Sequence, residues 1–350
     1  MTPSGVDRGG DGARFAELRA AAVALLAAMA AGSLLIILAG ASPLEVWRTL
    51  VARTFGDAYG AGQVVFRATP LVLTGLAVAV PLRAGLFNIG AEGQMIAAAM
   101  CCAVVGAALP AATPALLALP VAMAAAAVAG GAVGAATGAL RAYRGAHEVI
   151  VAILLNAIIA GVALWLGNQW LFVGEATRTA SVVEGARFAE LGITGSSASS
   201  SVVVALVAAA AVGWLQTRST IGFRWRMIGG GPDAALAAGI SVARDRVSAM
   251  AAAGALAGLA GAHFVLGHKH AFEEGLGRGV GFLGVAVALL AQGRAAAIVV
   301  SAVLFAALSQ GGLGVAELVP KELVDVLQAV VVLVAAATLG RTTSVGGGAR

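Results

Sequence analysis

Charge is what this sequence has least of. Asp, Glu, Lys and Arg together make up 11% of its 350 residues, and runs long enough to cross a bilayer carry none at all. That is the composition of a polytopic membrane protein. Also missing is the period-2 alternation of a transmembrane barrel. The apolar runs are about 20 residues of Ala, Val, Leu and Ile, so the spanning elements are helices. There are two cysteines, Cys101 and Cys102, and they are adjacent. Chain neighbours make no ordinary structural disulfide with each other, so they read as packing residues and say little about redox compartment. No G-x-x-x-x-G-K-S/T run occurs, which excludes a phosphate-binding loop and ATP binding of that type. No Ser/His/Asp or Cys/His arrangement stands out. An enzyme reading has nothing to rest on, and neither a cofactor nor a metal is expected.

What is present is an all-α, polytopic transmembrane bundle. Ten candidate spans read as 20–40, 62–82, 86–109, 114–140, 148–172, 199–216, 247–267, 281–293, 295–312 and 321–340. The eighth and ninth are short or contiguous, and are also readable as one broken helix plus another. Residues 1–19 and 341–350 are polar tails flanking one transmembrane domain, 20–340.

The basic residues test the topology. With the N-terminus inside, inner segments hold 14 of the 22 Lys and Arg and outer loops hold 7, Arg67 falling within a span. Both termini are therefore expected in the cytoplasm. The net charge of +5 is spread over short loops. It reads as membrane orientation, not as a nucleic-acid surface. The long outer loop, 173–198, mixes acids and bases and is expected to pack against something outside the membrane. The long inner loop, 217–246, sets five arginines against Asp233 and Asp245. It holds a short helical candidate, Pro232–Ala238, with Pro at a plausible first-turn position, and looks like a docking surface.

The chemistry concentrates in GLFNIGAEGQMIAA, residues 85–98. A carboxylate and two amides, Glu92, Asn88 and Gln94, are costly at bilayer depth unless they meet protein, backbone or water. Gly85, Gly90 and Gly93 allow a broken helix start there, which would turn these side chains toward the bundle interior. For Glu92 two readings stand: a cap on a helix N-terminus, where acid is favoured, or a solute contact. Asn88 and Gln94 suit a structural or gating role as well as a solute one. Asn156 is a lone amide within EVIVAILLNAIIAGVALWL (148–166). Interhelical hydrogen bonding is its commonest use, and a place on a substrate path is the sharper alternative. Arg67 reads as a snorkelling residue. His268, Lys269 and His270 with Glu273 and Glu274 read as a solvated loop, since no third ligand has metal-site spacing. No strand precedes GLGRGVGF (275–282), so it is not a dinucleotide loop; close helix packing or an extracellular gate suits it.

The run TPLVLTGLAVAVPLRAGLFNIGAEGQMIAAA (69–99) resembles the permease subunits of ABC importers, in the branch serving ribose, branched-chain amino acids and nucleosides. Its core FNIGAEGQ (87–94) is similar to the nucleoside-type members. HEVIVAILLNAIIA (147–160), RMIGGGPDAALAAGI (226–240), SAMAAAGALAGLAGA (248–262) and GFLGVAVALL (281–290) support the likeness, which covers roughly residues 45–340. Beside Asn156 this chain has Ala157, where those members usually carry Tyr. The resemblance implies a bacterial inner-membrane subunit without its own ATPase site. It implies that 217–246 docks on a separate ABC ATPase through Arg224, Arg226, Gly229, Pro232, Asp233 and Gly239. It also implies a second, related permease chain, an extracytoplasmic solute-binding lipoprotein, and a small-molecule solute moving through a lipid-embedded path. On that path Asn88, Gln94 and Asn156 would offer amides, Phe87 an aromatic face and Glu92 an acceptor.

Overall fold

The computed structural model describes residues 26–27, 29–315, 318–320, 325–326 and 329–330. In chain order the helices are α1 (Met29–Leu38), α2 (Pro43–Phe55), α3 (Ala58–Leu82), α4 (Ala91–Ala108), α5 (Ala115–Arg144), α6 (Glu148–Leu166), α7 (Ser201–Arg218), α8 (Thr220–Gly230), α9 (Pro232–Ala237), α10 (Val242–Phe264), α11 (Val280–Leu290) and α12 (Ala295–Gly314). Among the described residues β pairing is limited to isolated bridges, such as Phe172 with Thr179 and Arg178 with Glu273. The described residues fall into two compact units, the larger being Asp57–Ala307. In the smaller, Ile36, Val46, Leu50, Val315 and Val319 form a separate apolar cluster.

Seven helices are long and apolar enough to cross a membrane, or eight if α1 and α2, bent at 117°, count as one span. The expected count of ten is too high for the described residues. The expected span 20–40 is represented by α1, which turns sharply into α2. The expected span 281–293 is α11, whose 11 residues rise about 17 Å against a hydrocarbon core of about 30 Å. The expected span 321–340 lies almost wholly outside the described residues. The other expectations correspond to α3, α4, α5, α6, α7, α10 and α12. Both α6 and α10 run on through one π-helical turn, Gly167–Leu171 and Val265–Lys269.

Local sequence explains the ends. The Asp57 side chain accepts the Gly60 N–H at 2.6 Å and so starts α3 four residues earlier than hydropathy indicated. Gly145, in the left-handed region at φ 69°, lets the chain leave α5 after Arg144. Helices in lipid gain no hydrophobic drive to associate, so close packing of small residues has to supply contact. Fully buried Ala118, Ala122 and Ala126 on α5 join Ala98, Cys102 and Ala103 on α4 in one apolar cluster. Between α5 and α10 the backbones touch: a methyl on Gly134 would overlap the Met250 carbonyl, and one on Gly254 the Gly130 carbonyl.

The long segment after α6 pairs in part with its own chain. Thr179 N–H donates to Phe272 O, Val182 N–H to His270 O, and Phe188 N–H to Leu266 O. Val182, Ala186 and Phe188 are buried.

Gly254→Val is expected to destabilise the α5–α10 contact by about 1–3 kcal/mol or more, the range for over-packing a tight interface. Its unfolding midpoint in detergent should fall well below that of Ala255→Val on the same helix.

Candidate functional site

The chain does not pass directly from α3 to α4. After Leu82 it turns through Gly85 (φ 68°) and folds back, Leu86 N–H bonding Pro81 O at 3.0 Å, before α4 starts at Ala91. Residues 86–90 therefore lie beside the last turns of α3, without helical hydrogen bonds of their own. Their backbone is satisfied by side chains. Asn88 and Gln94 form a reciprocal amide pair, Asn88 Nδ2 donating to Gln94 Oε1 at 3.0 Å and Gln94 Nε2 to Asn88 Oδ1 at 3.1 Å. Asn88 also donates to Ala77 O at 3.2 Å and accepts from Gly90 N–H at 3.0 Å. Both are fully buried. From α6, Asn156 clamps the same turn: its Oδ1 accepts the Gly93 N–H at 2.9 Å and its Nδ2 donates to Ile89 O at 3.1 Å. The space is tight, since a methyl on Gly93 would meet the Asn156 amide oxygen at 2.7 Å.

A second irregular stretch meets the first. Thr74 Oγ1 lies 3.3 Å from Val280 O, and Gly284 packs on Thr74. Thus α11 begins about 24 Å along α3, counted at 1.5 Å per residue from Ala58. Residues 270–279 lead to that depth without a regular helix, with Gly275, Gly277 and Gly279 at positive φ. Non-helical backbone at this depth is tolerated where protein buries it or where it lines a cavity. Here Glu92 provides the partners. Its Oε1 accepts the Gly279 N–H at 2.7 Å and its Oε2 the Gly281 N–H at 2.8 Å.

Glu92, Asn156 and Ile96 line a cavity of about 390 Å³, with Ala157, Ala160, Gly161, Ala163 and Leu164 of α6, Phe172, and residues 272, 274–276 and 278 of the irregular stretch. Its size suits a small molecule. Phe172 and Phe272 stack with centroids 6.4 Å apart and planes 10° from parallel, and Phe172 rests on Gly167, the first residue of the π turn. Glu274 and Arg278 are exposed on the wall.

The site residues expected from sequence therefore separate. Glu92 and Asn156 reach the cavity, whereas Asn88 and Gln94 lie behind it, paired with each other. Phe87 is half-buried and does not line it. Phe172, Phe272, Glu274 and Arg278 were not anticipated as site residues. The signal for the last two was two charges within a glycine-rich stretch just ahead of an apolar run.

The segment after α7 folds as α8 and α9. The Ser219 side chain caps α8 by accepting Gly222 N–H at 2.9 Å. Arg224 pairs with buried Asp245 at 3.1 Å, and Trp225 and Ile228 are buried beneath it. Arg226 is half-buried, while Pro232 and Asp233 are exposed at the start of α9 and Gly239 (φ 79°) ends the segment. Ile221, Phe223 and Leu236 are exposed apolar side chains on the same segment. Gly229 abuts the turn after α3: a methyl there would overlap the Arg83 carbonyl oxygen, and Gly85 lies against its Cα. The α8–α9 segment thus touches the turn that carries Asn88 and leads to Glu92.

A helical bundle with two interrupted elements meeting at a cavity is the architecture of a membrane transport protein. The chain belongs to the family described as branched-chain amino acid transport system / permease component, which it matches over residues 60–336. It is 36% identical to the guanosine ABC transporter permease protein NupP of Bacillus subtilis, over 93% of this chain and 94% of that protein. It is 31% identical to the glucose ABC transporter permease protein TsgB13 of Haloferax volcanii, over 88% and 84%. It is 30% identical to the nucleoside ABC transporter permease protein NupB of Lactococcus lactis, over 89% and 88%. No solved structure matches.

Removing one amide of the Asn88–Gln94 pair strands the other. Asn88→Ala and Gln94→Ala are each expected to cost about 1–3 kcal/mol, the penalty for a buried unpaired polar group. The double variant should cost clearly less than the sum. Unfolding midpoints of the two singles and the double measure this coupling, and strict additivity would show that the pair is not one unit.

Proposed function

We propose that this chain is a membrane permease subunit of an ATP-driven importer of nucleosides. The observation that carries the solute class is the similarity, along nearly the whole chain, to permeases named for guanosine and for nucleosides. The cavity supports it chemically: aromatic rings and apolar α6 side chains beside polar groups suit a neutral, hydroxyl-bearing, flat-ringed solute. In this reading Phe172 and Phe272 present the apolar wall for the base, and Glu274 and Arg278 face the ribose hydroxyls. The Asn88–Gln94 pair and Asn156 hold the broken helix start in place.

The remaining parts follow from the same reading. An ABC ATPase subunit docks on α8–α9, where Phe223, Pro232, Asp233 and Leu236 are all exposed. Arg224, tied to Asp245, fixes the angle of α8, and Gly229 passes its movement to the turn at Arg83–Gly85. Largely exposed α6 faces a second permease chain or lipid. A solute-binding lipoprotein delivers the nucleoside at the opposite end, with both termini of this chain cytoplasmic in a bacterial inner membrane. The likeness to a glucose permease supports a second reading, in which the solute is a hexose.

Uptake of labelled guanosine by cells carrying the complete transporter separates these readings. The nucleoside reading predicts saturable uptake, competed by nucleosides and abolished by an ATPase-dead partner. No guanosine uptake, with saturable ATPase-dependent uptake of labelled glucose instead, would favour the second reading, and uptake surviving the dead ATPase would overturn both.

Gly229→Val tests the mechanical link. It is expected to lower uptake roughly tenfold, about 1.4 kcal/mol of lost coupling, while the variant still co-purifies with the ATPase and ATP hydrolysis persists. Normal uptake in that variant would contradict the link.

A further inference from the structure

The start of α11 lies at the depth of Thr74 along α3, with Gly281 buried and Gly279 and Val280 half-buried. A helix start carries partial positive charge and unpaired N–H groups. In transporters with interrupted helices, such starts receive the carboxylate of the solute. In this chain both carboxylate oxygens found there belong to the protein. Glu92, which is 7% exposed, places one oxygen on Gly279 N–H at 2.7 Å and the other on Gly281 N–H at 2.8 Å. Both amides are engaged, and α11 starts hard against α4, where a methyl on Gly281 would overlap the Glu92 backbone nitrogen. Glu92 also lines the cavity. A carboxylate entering from that side would meet amides already engaged by Glu92, and two carboxylates, Glu92 and Glu274, against the one cation Arg278 among the cavity-lining residues.

We propose that Glu92 is a specificity-determining residue: it fills the anion place at the start of α11 and so closes the path to carboxylate-bearing solutes while leaving it open to neutral ones. Branched-chain amino acids carry a carboxylate and fall in the excluded class, whereas nucleosides and hexoses do not. The inference rests on the transport reading for the identity of the path, but not on which neutral solute is carried. Glu92 acts through the backbone of α11, so it is a positioning residue as well as a charge filter.

The test uses the complete purified transporter and sodium formate as the probe, with sodium chloride and formamide as controls. Thermal unfolding midpoints are measured for wild type, Glu92→Ala and Glu92→Gln. The proposal predicts that wild type is indifferent to formate beyond the chloride effect, because the place is filled. Glu92→Ala should unfold earlier and be restored by formate in a saturable manner, with no restoration by formamide. Glu92→Gln, whose carboxamide still fills the space, should not respond. Recovery of Glu92→Ala only when formate is present throughout purification would support the proposal equally. A Glu92→Ala transporter as stable as wild type, or one unmoved by formate, would overturn it. If that variant assembles in neither buffer, Glu92→Gln decides: a midpoint below wild type is expected, and an unchanged one contradicts the proposal. The filter itself is read by solute-stimulated ATP hydrolysis of the same preparations. Glu92→Ala is expected to gain a response to leucine that wild type lacks. No gain in a folded Glu92→Ala transporter would overturn the proposal, while neither readout uses a nucleoside.

Discussion

Backbone that leaves the helix inside a bilayer has to find its hydrogen-bond partners within the protein. Leaving such a group unpaired costs several kcal/mol, while each bond made contributes only about 1 kcal/mol net. This asymmetry governs the intramembrane polar residues of the chain. The turn before α4 and the stretch before α11 both depart from helix, and each is completed by a side chain from a different element. Asn88 and Gln94 complete the first from within, and Asn156 braces it from α6. Glu92 joins it to the second, 187 and 189 residues away in sequence. The cavity lies where these two stretches meet beside α6, lined by Glu92, Asn156 and residues 272, 274–276 and 278.

Small residues make that arrangement possible. Alanines on α4 and α5 and glycines between α5 and α10 bring backbones into contact, so that helices without a hydrophobic drive to associate still form a fixed frame. Glycine recurs where the frame touches the irregular segments: Gly281 against Glu92, Gly93 against Asn156, Gly229 against Arg83. The last is a direct mechanical contact between α8 and the turn before α4. In the proposed mechanism a displacement of α8 is passed to that turn, with no side chain of residue 229 between the two backbones.

Much of this was legible in the sequence and some was not. Charge scarcity and long apolar runs identified a helical membrane bundle. The three glycines of 85–93 marked the broken helix start, and Pro232 marked the short α9. Among the described residues hydropathy overcounted the spans, because it responds to apolar length and α11, though apolar, has only 11 residues. Polarity located Asn88, Glu92, Gln94 and Asn156 but left open whether each meets solute or protein. That choice depends on long-range partners: Glu92 bonds to Gly279 and Gly281, and nothing at 92 points to 279. Phe172 and Phe272 read as ordinary apolar residues until the fold stacks them beside the cavity.

The central claim is that Glu92 and the amides of the interrupted helices serve the backbone, while solute meets the wall formed by Phe172, Glu274 and Arg278. A cryo-EM reconstruction of the complete transporter, trapped with nucleoside between receptor release and ATP hydrolysis, tests it most directly. The account predicts solute density against that wall, with Glu92 still on the Gly279 and Gly281 amides and Asn88 still paired to Gln94. Solute bonded to Asn88 or Gln94, or Glu92 swung away from α11 onto the solute, would contradict it.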